Sequence, residues 1–177
     1  MLTMDCTDIF SHFRDEDKLV LLLIFKCDGS IFGGYLRDSI AGETPSDIDV
    51  AMLEKMFGYF IVGMTKLGYT AIPTTDNGEH WLFEPNKLSS EQKIKVEVIL
   101  YPDTDIGLLL GPTCDPDFTV NTLAFDGREL YLWCDNDEFS ITVSSVIEDI
   151  KNKESRRLIA DEERETKLIR RGYLIYN

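Results

Sequence analysis

Asp47 and Asp49 stand two residues apart in Ser46-Asp47-Ile48-Asp49-Val50, with apolar residues at the alternate positions. On a strand, side chains at i and i+2 project from the same face, so the two carboxylates point together while Ile48 and Val50 turn the other way. Two adjacent carboxylates repel one another unless a cation lies between them. A hard divalent ion such as magnesium or manganese suits oxygen donors of this kind and also suits a triphosphate. A third carboxylate, Glu97, lies on the alternating segment Lys95-Val96-Glu97-Val98. If that segment runs beside Asp47–Met52, Glu97 completes a two-metal arrangement for activating a hydroxyl and neutralising a leaving pyrophosphate. Upstream, Gly33-Gly34 follows the apolar Ser30-Ile31-Phe32. A glycine pair at a strand–helix junction lets backbone approach a bulky anion, and free N–H groups of the next helix can hold phosphate. Each feature alone has an ordinary structural reading: a turn, a solvated strand face, an exposed glutamate.

The elements that must position these residues follow from local pattern. Acidic Asp15-Glu16-Asp17 before Lys18–Phe25 predicts a helix start, and Asp28-Gly29 its end. A buried strand is expected at 30–32, a helix over 35–41 closed by Gly42, a strand over 47–52 and a helix over 53–67 stopped by Gly68. Asp76-Asn77-Gly78 predicts a hairpin turn between strands at 69–72 and 80–83. Residues 93–100 alternate as a strand. A short helix is expected over 116–123 with proline in its first turn, and short strands at 130–133 and 139–143. From Ser144 the pattern is helical and charged. Interleaved strands and helices predict an α/β (α+β) fold, a small mixed sheet flanked by helices.

The whole chain has 177 residues, 44% hydrophobic and 28% charged, which suits one domain with a real core. Its formal net charge of −14 argues against broad non-specific binding to nucleic acid. The four cysteines, Cys6, Cys27, Cys114 and Cys134, form no C-x-x-C pair, and there are only two histidines, so zinc is not expected. No long apolar run and no positively charged leader is present, which predicts a soluble, intracellular (cytoplasmic) protein without a membrane span.

The joint spacing of Gly33-Gly34-Tyr35-Leu36-Arg37-Asp38 and Asp47-Ile48-Asp49 resembles the Gly-Gly-x-x-Arg-Asp … Asp-x-Asp signature of the bacterial poly(A) polymerase and CCA-adding tRNA nucleotidyltransferase family, within the DNA polymerase β-like superfamily. Asp117-Phe118-Thr119-Val120-Asn121-Thr122-Leu123-Ala124-Phe125 is similar to that family's Arg-Arg-Asp-Phe-Thr-Ile-Asn-Ala-Leu-Ala-Tyr motif, and Glu148-Asp149-Ile150-Lys151 to a segment before its neck. The resemblance implies a nucleotidyltransferase fold, with a head over residues 1–147 and a C-terminal helical segment, the start of the neck, over 148–177. It implies template-independent transfer of a nucleoside monophosphate from an NTP to a hydroxyl, at an RNA 3′ end or elsewhere. Asp47, Asp49 and Glu97 would be catalytic and metal-ligating. Gly33, Gly34, Arg37, Asp117 and Asn121 would line the nucleotide site. For Arg37 and Asp38 two readings stand side by side, a buried structural ion pair and direct ligand contact.

The sequence also departs from the family. Asp115 and Pro116 occupy the places of two arginines, which removes positive charge near the expected triphosphate. Arg164 and Lys167 stand where the family's base-reading motif has aspartate and arginine, and the RNA-binding body is missing. RNA binding would therefore call on another subunit. The competing class is a head domain without catalysis, serving as a binding or structural module. Arg156-Arg157 and Arg170-Arg171 read most simply as a solvated helix face, and Trp81 and Trp133 as packing anchors rather than stacking platforms.

Overall fold

The computed structural model describes residues 6–86, 93–103, 116–134 and 140–177. Alternating apolar residues make the central strands. β1 (Ser30–Phe32), β2 (Asp47–Leu53) and β5 (Lys95–Tyr101) lie side by side, with β3 (Tyr69–Pro73), β4 (His80–Pro85), β6 (Leu123–Phe125) and β7 (Leu130–Leu132) completing one sheet in the order β3-β4-β5-β2-β1-β6-β7. Only the β2–β5 pair of this sheet is parallel; the others are antiparallel. The parallel pair needs a crossover, and α4 (Glu54–Lys66) with the β3–β4 hairpin supplies it.

Ile48, Val50 and Met52 of β2 and Val96, Val98 and Leu100 of β5 face one side and are buried. Against that face pack α2 (Lys18–Lys26), α3 (Gly34–Ile40) and α4. Phe10 and Phe13, from α1 (Cys6–His12) and its exit, meet Phe25 and Phe125 with ring centroids 5.4–6.0 Å apart, mostly edge to face. Each large side chain buried this way contributes about 1.5–3 kcal/mol. Among the described residues the opposite face of the sheet carries a small apolar cluster around Phe32, Ala51 and Ala124. Asp47, Asp49 and Glu97 lie on this second face by strand parity.

The expected hairpin forms, with Tyr69 paired to Pro85 and Pro73 to Trp81. α4 ends before Gly68, whose φ of +84° turns the chain out of the helix. Three expectations are corrected. The helix expected over 116–123 is a single 3-10 turn, Thr119–Asn121, because Leu123 to Phe125 pair with β1 and β7 instead. In the strand expected over 139–143, Phe139 lies outside the described residues, Ser140 has φ +51°, and Thr142 caps α5 (Val143–Asn152) through a reciprocal box with Ser145. The helical run expected from Ser144 is broken: α5 ends at Lys153 in the left-handed region, and β8 (Glu154–Arg156) pairs in parallel with β9 (Leu174–Tyr176) around α6 (Glu162–Arg170). Among the described residues no helix is long and apolar enough to cross a membrane, and Cys27 is a buried free thiol.

Candidate active site

The register of β2 against β5 sets Asp49 opposite Glu97 and Asp47 opposite Lys95, so the three carboxylates share one face of the sheet. They border a cleft of about 930 Å³, in the size range of small-molecule sites. Burial pushes the Asp49 carboxyl up to about 7, helped by the negative charges of Asp47 and Glu97 and opposed by the positive charges of Arg164 and Arg37. Asp47 accepts a hydrogen bond from the Ser46 hydroxyl at 2.9 Å, whereas Asp49 receives none from any described residue. A carboxylate half withdrawn from water, without donors and beside two others, is a donor set that fits a hard cation. Among the described residues, however, no three His, Cys, Asp or Glu side chains form a group that could hold a metal ion by themselves. Glu97 is a neighbour of the aspartate pair and does not close a three-carboxylate cage; further oxygen ligands would come from phosphate and water.

Gly33 brings backbone against this pair. Its φ of +69° and ψ of −129° are closed to other residues, and a Cβ there would stand 3.7 Å from Asp49 Oδ2. At this junction the Gly33 N–H is not free, because it donates to the Leu123 carbonyl at 3.0 Å. On α3, Arg37 Nε donates to Asp38 Oδ1 at 2.7 Å, and Asp38 is 1% exposed. Arg37 NH1 donates to Asn121 Oδ1 at 2.7 Å. The structural reading of the Arg37–Asp38 pair therefore holds, although Arg37 also reaches the cleft wall. Asp117 and Asn121 are buried at the same wall, and Asn121 Nδ2 donates to Asp117 Oδ1 at 3.0 Å. Asp117 Oδ1 also accepts the Phe118 N–H, and its Oδ2 accepts Arg164 NH1 at 3.1 Å.

Sequence reasoning misses α6. Arg164, Lys167, Arg170 and Arg171 all border the cleft; Arg170 is solvated as expected, whereas Arg171 is half-buried in an ion pair with Asp38. The signal is present in Arg164, Lys167, Leu168 and Arg171, spaced i, i+3, i+4 and i+7 behind the N-cap Asp161. Arg171 NH1 lies 2.6 Å from Asp38 Oδ2 and 3.5 Å from Glu43 Oε2. A closed ring results: Arg164 to Asp117, Asp117 to Asn121, Asn121 to Arg37, Arg37 to Asp38, Asp38 to Arg171, and so back to the helix that began it. Of the two positions that lack family arginines, Pro116 is buried at the cleft and Asp115 lies outside the described residues. Trp81 packs on Phe57 with centroids 5.0 Å apart, and Trp133 Nε1 donates to the Asn121 carbonyl at 2.9 Å, both as anchors at the cleft border.

No protein-family model and no curated protein matches the sequence. Solved structures do match. A CCA-adding enzyme in an apo form aligns with TM-score 0.67 and 14% identity, and a complex of CCA-adding enzyme with CTP with 0.65 and 15%. The Thermotoga maritima CCA-adding enzyme complexed with tRNA aligns with 0.63 and 14%. Each covers 100% of this chain, which spans 44% of the length of those enzymes. At this identity the likeness shows a shared fold, so the α/β architecture expected from the sequence is the one found.

Proposed function

We propose that the chain is a nucleotidyltransferase that moves a nucleoside monophosphate from an NTP to a hydroxyl acceptor. The observation that carries this reading is the Asp47–Asp49 pair, in register with Glu97, at a nucleotide-sized cleft beside Gly33. The shared fold adds support, because structures of that fold include complexes with CTP and with tRNA.

In this reading Asp47 and Asp49 would hold magnesium or manganese, with Glu97 beside them. The ion would supply charge neutralisation on the triphosphate and acidify the attacking hydroxyl. The remaining work is positioning. Gly33 has no side chain, which leaves room for phosphate next to Asp49. Arg37, fixed by Asp38 and Asn121, presents a guanidinium edge with little freedom left to lose. Asp117 and Asn121 would meet the sugar, Asp117 as acceptor and the Asn121 amide as donor. For its hydroxyl to engage Asp117 Oδ2, the nucleotide shares that oxygen with Arg164 or displaces it.

An RNA 3′ end is one candidate acceptor. With a net charge of −14, productive RNA binding would be helped by a basic partner subunit.

The test is label transfer from each NTP to a short RNA with magnesium or manganese, repeated with Asp47→Ala and Asp49→Ala. Transfer by the wild type that is lost in both variants is the expected result. Metal-dependent nucleotide binding with no transfer to any acceptor would favour the binding-module reading. Absence of any response to nucleotide or metal would overturn the proposal.

A further inference from the structure

α2 is apolar on every side. Leu19 to Phe25 are successive apolar residues, and on a helix they point all round the axis. The core takes one side of them: Val20, Leu21 and Ile24 are buried, whereas Leu19 and Leu22 are 65% and 56% exposed. α4 lies alongside, so close that a Cβ on Gly63 would stand 2.6 Å from the Leu23 side chain. The outward residues of α4 include Gly58, Tyr59 and Val62, with Tyr59 74% and Val62 54% exposed. Leu19 and Leu22 stand within about a turn of Leu23, and Tyr59 and Val62 within about a turn of Gly63. The four exposed apolar side chains therefore flank one helix–helix seam.

Two features set this surface apart from scattered exposed leucines. The first is Gly58, inside α4, where glycine is a poor helix former. Among the described residues nothing lies within 4 Å of a Cβ placed there, so no described neighbour calls for glycine. A bare backbone on an outward helix face leaves room for another chain to come close. The second feature is charge. α2 and α4 carry four lysines, Lys18, Lys26, Lys55 and Lys66, and one acid, Glu54, in a chain with 18 Lys+Arg and 32 Asp+Glu. Lys18 pairs with Asp15 just before α2. Lys26, Lys55 and Lys66 are exposed and make no ion pair among the described residues. An apolar strip rimmed by lysines complements an apolar stripe rimmed by acids. A second copy related by a two-fold axis would set lysines against lysines. An anionic lipid surface would meet exposed Asp15 and Glu16 before α2 and Asp28 beyond it. One helical segment can lie between those ends.

We propose that the outward face of α2 and α4 is a docking surface for an amphipathic helical segment of another protein, its apolar stripe flanked by Asp and Glu. Leu22 and Tyr59 are the central anchors, Gly58 admits the docked backbone, and Lys26, Lys55 and Lys66 meet the acidic flanks. α2 and α4 cover the sheet face opposite Asp47, Asp49 and Glu97, so a docked partner leaves the cleft open.

The probe is a synthetic helical peptide of about 20 residues, with leucines spaced i, i+3, i+4 and i+7 and glutamates on both flanks. The control is the same peptide with lysines in place of the glutamates. Binding to the full chain is read by fluorescence anisotropy for wild type, Leu22→Ser with Tyr59→Ser, Lys26→Gln with Lys55→Gln and Lys66→Gln, and Gly58→Ala. The expected result is saturable micromolar binding of the glutamate peptide, weakened about tenfold or more in each of the first two variants and weakened by added salt. The replaced side chains are exposed, so those two variants should melt within about 2 °C of wild type. Gly58→Ala separates docking from folding: it should raise the melting temperature by about 2–4 °C while weakening the peptide about threefold or more. Absence of binding by the glutamate peptide, equal binding of the lysine peptide, or unchanged binding by the variants overturns the inference. So does a dimer in sedimentation equilibrium that Leu22→Ser with Tyr59→Ser dissolves, which assigns the face to a second copy. Binding to phosphatidylserine vesicles that the same variant abolishes overturns it too, in favour of lipid. All these outcomes leave the nucleotidyltransferase reading where it stands.

Discussion

Replacing Asp49 by asparagine should make the metal-free protein more stable at pH 8 than the wild type, and the gain should vanish towards acid. The Asp49 carboxyl sits at about 7 against an ordinary 3.8, so the folded state holds a proton that the unfolded chain releases between those values. Stability therefore falls as pH rises from about 4 to about 7 and is flat beyond. Each unit of displacement is worth about 1.36 kcal/mol, so the wild type loses at most about 3 kcal/mol between pH 5 and pH 8 from this group. Water in the open cleft screens part of that, and a change of about 1–2 kcal/mol is the working expectation. The asparagine side chain cannot ionise and escapes this loss. The assay is urea denaturation at pH 5, 6, 7 and 8 with a chelator, reading the difference between wild type and variant at each pH. Groups that titrate alike in both proteins cancel in that difference. Magnesium, which competes with the proton, should stabilise the wild type at pH 8 and leave Asp49→Asn unmoved. Parallel profiles, separated by the same amount at every pH, would refute the claim that Asp49 is held protonated by burial and by its acidic neighbours.

Arg171→Gln leaves the buried Asp38 with Arg37 alone and should lower stability by about 2 kcal/mol, seen as a melting temperature about 4–8 °C lower, with Arg171→Lys recovering part of it. Gly33→Ala forces an L-residue into φ +69° and should cost about 1–3 kcal/mol by denaturant titration. Among the described residues only Asp49 Oδ2 lies near the added methyl, at ordinary contact distance, so the loss is backbone strain rather than collision. Thr142→Ala removes the α5 cap and should cost about 1 kcal/mol in the same titration while NTP binding is unchanged, because Thr142 is not among the cleft-lining residues.

Where strand period and turn chemistry agree, the sequence is readable. Asp47 to Met52 and Lys93 to Leu100 alternate cleanly because one face of each strand is core and the other is not, and that same alternation sets the carboxylates on one side. The β2–β5 register can only be supposed from the sequence, since pairing between residues 48 positions apart leaves no local trace. The 3-10 turn at Thr119–Asn121 reads as a longer helix because its boundary is decided by Leu123 to Phe125 pairing across to neighbouring strands. The run from Ser144 hides two three-residue strands, Glu154–Arg156 and Leu174–Tyr176, each too short to show a period. The charge of α6 is plain in the sequence, but whether its basic stripe meets water or the cleft depends on Asp38 and Asp117, which are far away along the chain.

The ring that leaves α6 at Arg164 and returns at Arg171 has a temporal side. Arg171 and Glu43 are separated by 128 residues, so the motif loop cannot acquire its final bracing until α6 has itself emerged from a ribosome. The sheet can assemble earlier, around hydrophobic contacts of shorter range, but a competent cavity must wait for that helix. Until then Asp38 lacks its second guanidinium. The nascent protein would thus pass through a stage in which the architecture exists and the ability to grip a ligand does not.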